Sequence, residues 1–152
     1  MKIIDGTNYL NEIKELIVEY ITLLNRDLAF QSINDELSDL AGKYILPYGR
    51  MLAAVNNDGE VIGCVAYHRH NEERCEMKRL FVKPEYRRLN TGGQLIDEII
   101  HLAREDGYKE MVLDTIKPLE NAIHLYKKHG FAETEPYYDN PMNDVIYMRL
   151  KL

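Results

Sequence analysis

The residues best placed to do chemistry cluster between Glu76 and Gln94, where five basic side chains (Lys78, Arg79, Lys83, Arg87 and Arg88) accompany two acidic ones, Glu76 and Glu85. This local excess of three positive charges sits in a chain whose formal net charge is -6. The same stretch, MKRLFVKPEYRRLNTGGQLI from Met77 to Ile96, reads as an apolar strand, a basic glycine-containing loop and then an amphipathic helix. A helix start leaves its first N–H groups without intrahelical acceptors and carries partial positive charge. Strand, basic loop and helix in this order therefore predict a phosphate-binding turn. Asn90 occupies a loop position that favours glycine, and asparagine is among the few other residues that tolerate a left-handed backbone.

The elements that must position this turn follow from periodicity. A short strand is predicted over Lys2–Ile4, then a helix with Leu10, Ile13, Leu16, Ile17, Tyr20, Leu23 and Leu24 at helical spacing and Asn8 or Thr7 as its cap. A second short helix runs from Ser32 or Asn34 to about Ala41 and ends at Gly42. Met51–Asn56 and Glu60–Tyr67 flank Asn57-Asp58-Gly59 as a hairpin, and Arg74–Val82 adds a third antiparallel strand. The helix after the loop starts at Gly92 or Gly93, runs to Glu105 and is stopped by Gly107. Met111–Asp114 reads as a strand, Pro118 as the first turn of a helix closed by Gly130-Phe131, and strands lie around Ala132 and over Asp144–Leu150. The result is one α+β (α/β) domain spanning residues 1–152, with a mixed, mostly antiparallel sheet and flanking helices.

The loop residues Arg87-Arg88-Leu89-Asn90-Thr91-Gly92 resemble the central motif of the GCN5-related N-acetyltransferases, Arg/Gln-x-x-Gly-x-Gly/Ala, with Asn90 in place of the first glycine. Asn121-Ala122-Ile123-His124-Leu125-Tyr126, followed by Gly130-Phe131, is similar to the second signature of that family. The resemblance extends over nearly the whole chain and implies the acyl-CoA N-acyltransferase fold. It also implies an enzyme that moves the acetyl group of acetyl-CoA, its co-substrate, to a primary amine by direct transfer in a ternary complex. In that reading Tyr126 protonates the departing thiolate and Glu76 serves as general base. The backbone of Leu80, Phe81 and Val82 pairs with the pantetheine arm, and the Val82 N–H polarises the thioester carbonyl. Residues Arg87, Arg88, Leu89, Asn90, Thr91, Gly92, Gly93 and Gln94 wrap the pyrophosphate, Arg88 or Lys83 reaches the terminal phosphates, and Asn121 bonds the pantetheine.

Composition narrows the partners. The acidic balance argues against nonspecific nucleic-acid binding, which needs lysine and arginine to neutralise phosphates. No apolar run reaches the ~20 residues of a membrane span and no signal peptide opens the chain, so a soluble cytoplasmic protein is expected. Cys64 and Cys75 lie in strands and read as buried thiols. His68 and His70 share a strand face without a third ligand nearby, so no metal is expected. Eight acidic residues between Asp5 and Leu40 against two basic ones suggest a cationic amine as acceptor. A small molecule fits a pocket walled by the tyrosine-rich segment Pro136–Pro141. The alternatives are a protein lysine or N-terminus as acceptor, or an acetyl-CoA sensing module without turnover. The family resemblance leaves room for a homodimer.

Overall fold

The structure is a computed structural model describing residues 1–152. Seven strands form one sheet: β1 (Lys2–Asp5), β2 (Gly49–Val55), β3 (Val61–Arg69), β4 (Arg74–Val82), β5 (Glu110–Ile116), β6 (Ala132–Glu133) and β7 (Val145–Lys151). Their order across the sheet is β1-β2-β3-β4-β5-β7-β6, antiparallel throughout except between β4 and β5. The helices are α1 (Leu10–Leu24), α2 (Ile33–Ser38), α3 (Leu40–Tyr44), α4 (Thr91–Glu105) and α5 (Glu120–Lys128). The parallel pair is the one joined through a helix, α4, because parallel neighbours require a crossover.

Helices cover both faces. Ile13, Leu16 and Ile17 of α1 pack with Leu28, Ile33, Leu40 and Tyr44 on one face. Leu95, Ile96, Ile99, Ile100 and Ala103 of α4 pack with Tyr126 and Phe131 on the other. Burial on both sides explains why β3 is apolar almost without alternation: Val61 through Tyr67 are all buried.

Three boundaries differ from expectation, each for a local reason. The predicted second helix is broken at Asp39, whose backbone leaves the helical region (φ -152°, ψ 73°) and whose carboxylate accepts the Gly42 N–H. Asp39 therefore caps a new helix, and Gly42 lies inside α3 rather than ending α2. The entry to α1 has no side-chain cap. Asp5 instead accepts the Thr7 N–H ahead of a 3-10 turn over Gly6–Tyr9. Pro118 precedes α5, whose N-cap position is Leu119.

The exit of α5 follows the glycine signal. Gly130 has φ +98°, the Phe131 N–H reaches the Tyr126 carbonyl and the Gly130 N–H reaches the Lys127 carbonyl, the paired bonds of a Schellman turn. The Tyr126 and Phe131 rings pack at 6.0 Å inside it.

Candidate active site

The site begins at a defect in the sheet. Between the Cys64↔Phe81 and Ala66↔Lys78 pairs, one residue of β3 stands against two of β4, and Arg79 takes the left-handed conformation (φ 61°) that this bulge requires. On its other side β4 pairs with β5 only at Arg74↔Glu110, Cys75↔Met111 and Glu76↔Val112. Beyond Glu76 the two strands separate. The β4 edge from Leu80 to Val82 is thus left without a neighbouring strand on the β5 side.

A cavity of about 790 Å³ fills the separation. Leu80, Phe81 and Val82 form one wall, Arg87, Arg88, Asn90, Gly92 and Gly93 its basic end, and Asn121, Leu125 and Tyr126 of α5 the opposite wall. The basic end is built from a 3-10 turn over Pro84–Leu89 that stops at Asn90, which adopts φ 57°. The Gln94 N–H bonds the Asn90 carbonyl. The N–H groups ahead of it in the first turn of α4 have no intrahelical acceptor. Gly93 is required by the Asn90 side chain, since a Cβ there would lie 2.4 Å from Asn90 Oδ1. Arg87 is held against the strand by its Nε–H to the Val82 carbonyl at 2.9 Å and by its guanidinium over the Phe81 ring. Arg88 is exposed.

Tyr126 sits where this cavity meets a second, smaller recess of about 60 Å³. Its ring is fixed by the turn at Gly130, the residue lines both spaces, and its hydroxyl enters no side-chain hydrogen bond. Burial, with the charges of Tyr20 and Asp114 adding to it, pushes the phenol above its ordinary range. It stays protonated at neutral pH.

The recess lies between the diverging ends of β4 and β5, with Met77, Lys78 and Arg79 on one side and Leu113, Asp114, Thr115 and Ile116 on the other. Tyr20, Leu24, Leu28 and Gln31 close it from the α1 side, and Met142 from the β6–β7 connection. Asp114, the fifth residue of β5, turns its carboxylate to the β6–β7 connection. Its Oδ2 accepts the Tyr138 hydroxyl at 2.5 Å and the Asn140 amide at 3.2 Å. Arg79 is neutralised by a bidentate pair with Glu36 at 2.7 and 3.0 Å, and Lys43 adds a contact of 2.9 Å to the same carboxylate. Burial opposes ionisation of Glu36, but the Arg79 and Lys43 contacts outweigh it and hold the carboxyl at about 2.

Sequence-based expectations meet this geometry unevenly. Leu80, Phe81, Val82, Arg87, Arg88, Asn90, Gly92, Gly93, Asn121 and Tyr126 line the larger cavity. Leu89 and Gln94 are exposed outside it, Thr91 is fully buried, and Lys83 turns away to Glu60 at 2.8 Å. Glu76 lines neither space. Its carboxylate accepts from Tyr137 at 2.5 Å and contacts His68 Nε2 at 2.7 Å. Although burial opposes it, the His68 contact, the Lys78 charge and the Tyr137 bond hold Glu76 at about 2. None of the eight acidic residues between Asp5 and Leu40 lines either space, so they provide no direct contact for a cationic acceptor there. Tyr20, Gln31, Lys78 and Asp114 line the recess without belonging to either sequence motif. Only Asp114, at the end of a strand, carried a positional hint.

Comparison with known proteins extends these findings. The acetyltransferase (GNAT) family model matches residues 11–131. An uncharacterized N-acetyltransferase from Schizosaccharomyces pombe is 46% identical over 94% of this chain and 88% of its own length. Another from Dictyostelium discoideum is 32% identical over 100% and 99%. Among solved structures, an acetyltransferase of the GNAT family from Staphylococcus aureus superposes with a TM-score of 0.83 at 24% identity, covering 99% of this chain and 98% of its own, a likeness of fold. A GNAT family acetyltransferase from Elizabethkingia anophelis with acetyl-CoA bound gives a TM-score of 0.61 at 28% identity, covering 75% and 82%.

Proposed function

The chain belongs to the acetyltransferase (GNAT) family and is an acetyl-CoA-dependent N-acetyltransferase, and from that premise we propose that it acetylates a small primary amine by direct transfer. The observation that carries this reading is adjacency. The cavity that runs from the basic turn at Arg87–Gly93 along the unpaired β4 edge adjoins the recess holding Asp114, and the two share Tyr20, Leu80 and Tyr126 as walls.

The residues suit acetyl-CoA, which supplies an acyl carbon activated as a thioester. The α4 N-terminus, Arg87 and Arg88 suit its phosphates. The free edge of Leu80–Val82 offers main-chain donors and acceptors to its amide-bearing arm, as an open strand does to an extended peptide. Asn121, on the opposite wall of the cavity, would bond the same arm.

For the acceptor, an alkyl amine of pKa near ~10.4 is neutral in only about one molecule in ~2,500 at pH 7, so a nearby carboxylate matters. Asp114 lines the recess and is the better candidate for this role. Glu76 is committed to His68 and Tyr137 and is held too acidic to take a proton readily. Tyr126 donates from its hydroxyl toward the departing sulfur. As the N–C bond forms and the C–S bond breaks, the amine loses one proton and the thiolate gains one. A covalent acyl-enzyme is disfavoured, because Cys64 and Cys75 are fully buried and burial pushes both thiols up to about 12.

The test is release of coenzyme A thiol from acetyl-CoA with a panel of small amines, amino acids and lysine-bearing peptides, corrected for hydrolysis without amine. Stimulation by small amines supports the reading. Turnover confined to peptides would move the acceptor to a protein, and confirmed acetyl-CoA binding with no release would favour the sensing role.

A further inference from the structure

Lys78 is the cation that the machinery described so far leaves unused. It is 9% exposed and lines the small recess, yet it enters no ion pair. Its hydrogen-bond partner is the neutral Gln31 Oε1 at 3.3 Å. That oxygen also accepts from Arg79 Nη1 at 3.1 Å, which fixes the amide orientation and leaves Gln31 Nε2 without an acceptor. Burying an ammonium without a counter-charge is costly. Burial lowers the pKa of Lys78, while Glu76 and Asp114 oppose that shift without touching the amine. Arg79, its neighbour, is paired with Glu36, which Lys43 also contacts.

Asp114 stands on the other wall. The β4–β5 register, continued from Glu76↔Val112, sets Lys78 level with Asp114 where the strands have parted. The recess thus presents an ammonium on one strand and a carboxylate on the other, separated by more than ion-pair distance.

We infer that the acceptor is a small amino acid, whose carboxylate is held by Lys78 with the Gln31 amide while its amine faces Asp114. This rests on the transferase reading and names its substrate class. A carboxylate would supply the counter-charge that Lys78 lacks and take the Gln31 donor. The small volume of the recess suits a compact acceptor. A polyamine would place a cation beside Lys78.

The experiment compares thiol release with L-alanine, L-alaninamide and ethylamine, and with the corresponding trios built on serine and methionine, each rate expressed per neutral amine. The wild-type protein is expected to prefer the amino acid of each trio by about 10- to 100-fold in kcat/KM, the range of a hydrogen bond to a charged group. Lys78→Met is expected to abolish that preference and to leave acetyl-CoA affinity, measured by calorimetry, unchanged. Lys78→Arg is expected to retain much of the preference. Equal or faster turnover of ethylamine by the wild type overturns the inference alone, and that comparison stands even where a variant does not fold. An equal loss for all three acceptors in Lys78→Met also overturns it, because Lys78 would then serve the reaction rather than the carboxylate. Silence from every acceptor with acetyl-CoA bound overturns the small-amine reading along with it.

Discussion

In the proposed reaction Tyr126 and Asp114 divide the proton traffic, and each is expected to give a distinct signature on removal. Tyr126→Phe keeps the ring that the Gly130 turn clamps and deletes only the hydroxyl. It is expected to bind acetyl-CoA normally and to lose roughly 10²-fold or more in kcat, the scale of general acid catalysis, as read by steady-state kinetics against calorimetric affinity. Asp114→Asn is expected to lower kcat/KM for the amine most at low pH, where the neutral amine is scarcest. Glu76→Gln is expected to act through the placement of His68 and Tyr137, changing thermal stability more than the pH profile. A larger pH effect from Glu76→Gln than from Asp114→Asn would return the base role to Glu76. Tyr126 was legible in the sequence because its neighbours Leu125, Gly130 and Phe131 form a pattern. Asp114 was not, because its partners Tyr138 and Asn140 are 24 and 26 residues away.

Among the elements, β4 organises everything that reacts. Its first half, Arg74–Glu76, is ordinary sheet; its second half is turned by the bulge at Arg79, which also carries the guanidinium that anchors α2 through Glu36. The strand, the following helix and the hairpin at Asn57-Asp58-Gly59 could all be read from alternation, periodicity and turn residues. The bulge could not, since nothing in Lys78-Arg79-Leu80 marks an arginine with positive φ, and the conformation is sustained by contacts with Glu36 and Gln31 far away in sequence. The break at Asp39 is hidden for the opposite reason: a local capping bond there overrides a continuous helical pattern. Arg79→Met is expected to cost about 3–5 kcal/mol of unfolding free energy, because Glu36 would remain buried with only Lys43 as partner. Urea unfolding checks this, and a loss under 1 kcal/mol would show the pair to be dispensable. Gly49→Ala should also destabilise the sheet, since a Cβ there would lie 2.2 Å from the Tyr67 carbonyl oxygen, a rigid main-chain atom.

For the molecule as a whole, the two buried carboxylates set the response to acid. Glu36 and Glu76 have folded values of about 2 against an ordinary 4.5, so the unfolded chain binds protons first as pH falls. Their stabilisation is fully present above the ordinary value and is lost as pH drops through the interval down to about 2. The melting temperature is expected to fall steeply across that window, and Glu36→Gln should flatten the fall; an unchanged slope in the variant would show that other groups govern it. No helix is long and apolar enough to cross a membrane. The three residue pairs that join β4 to β5 have a mechanical consequence. They are a short main-chain seam between the strands β1 to β4 and the strands β5 to β7. A co-substrate lying along Leu80–Val82 would work as a stitch where that seam stops. Amide hydrogen exchange at the β4 and β5 ends is therefore expected to slow together when acetyl-CoA is added, and unchanged exchange there would show that the co-substrate does not lie along this edge.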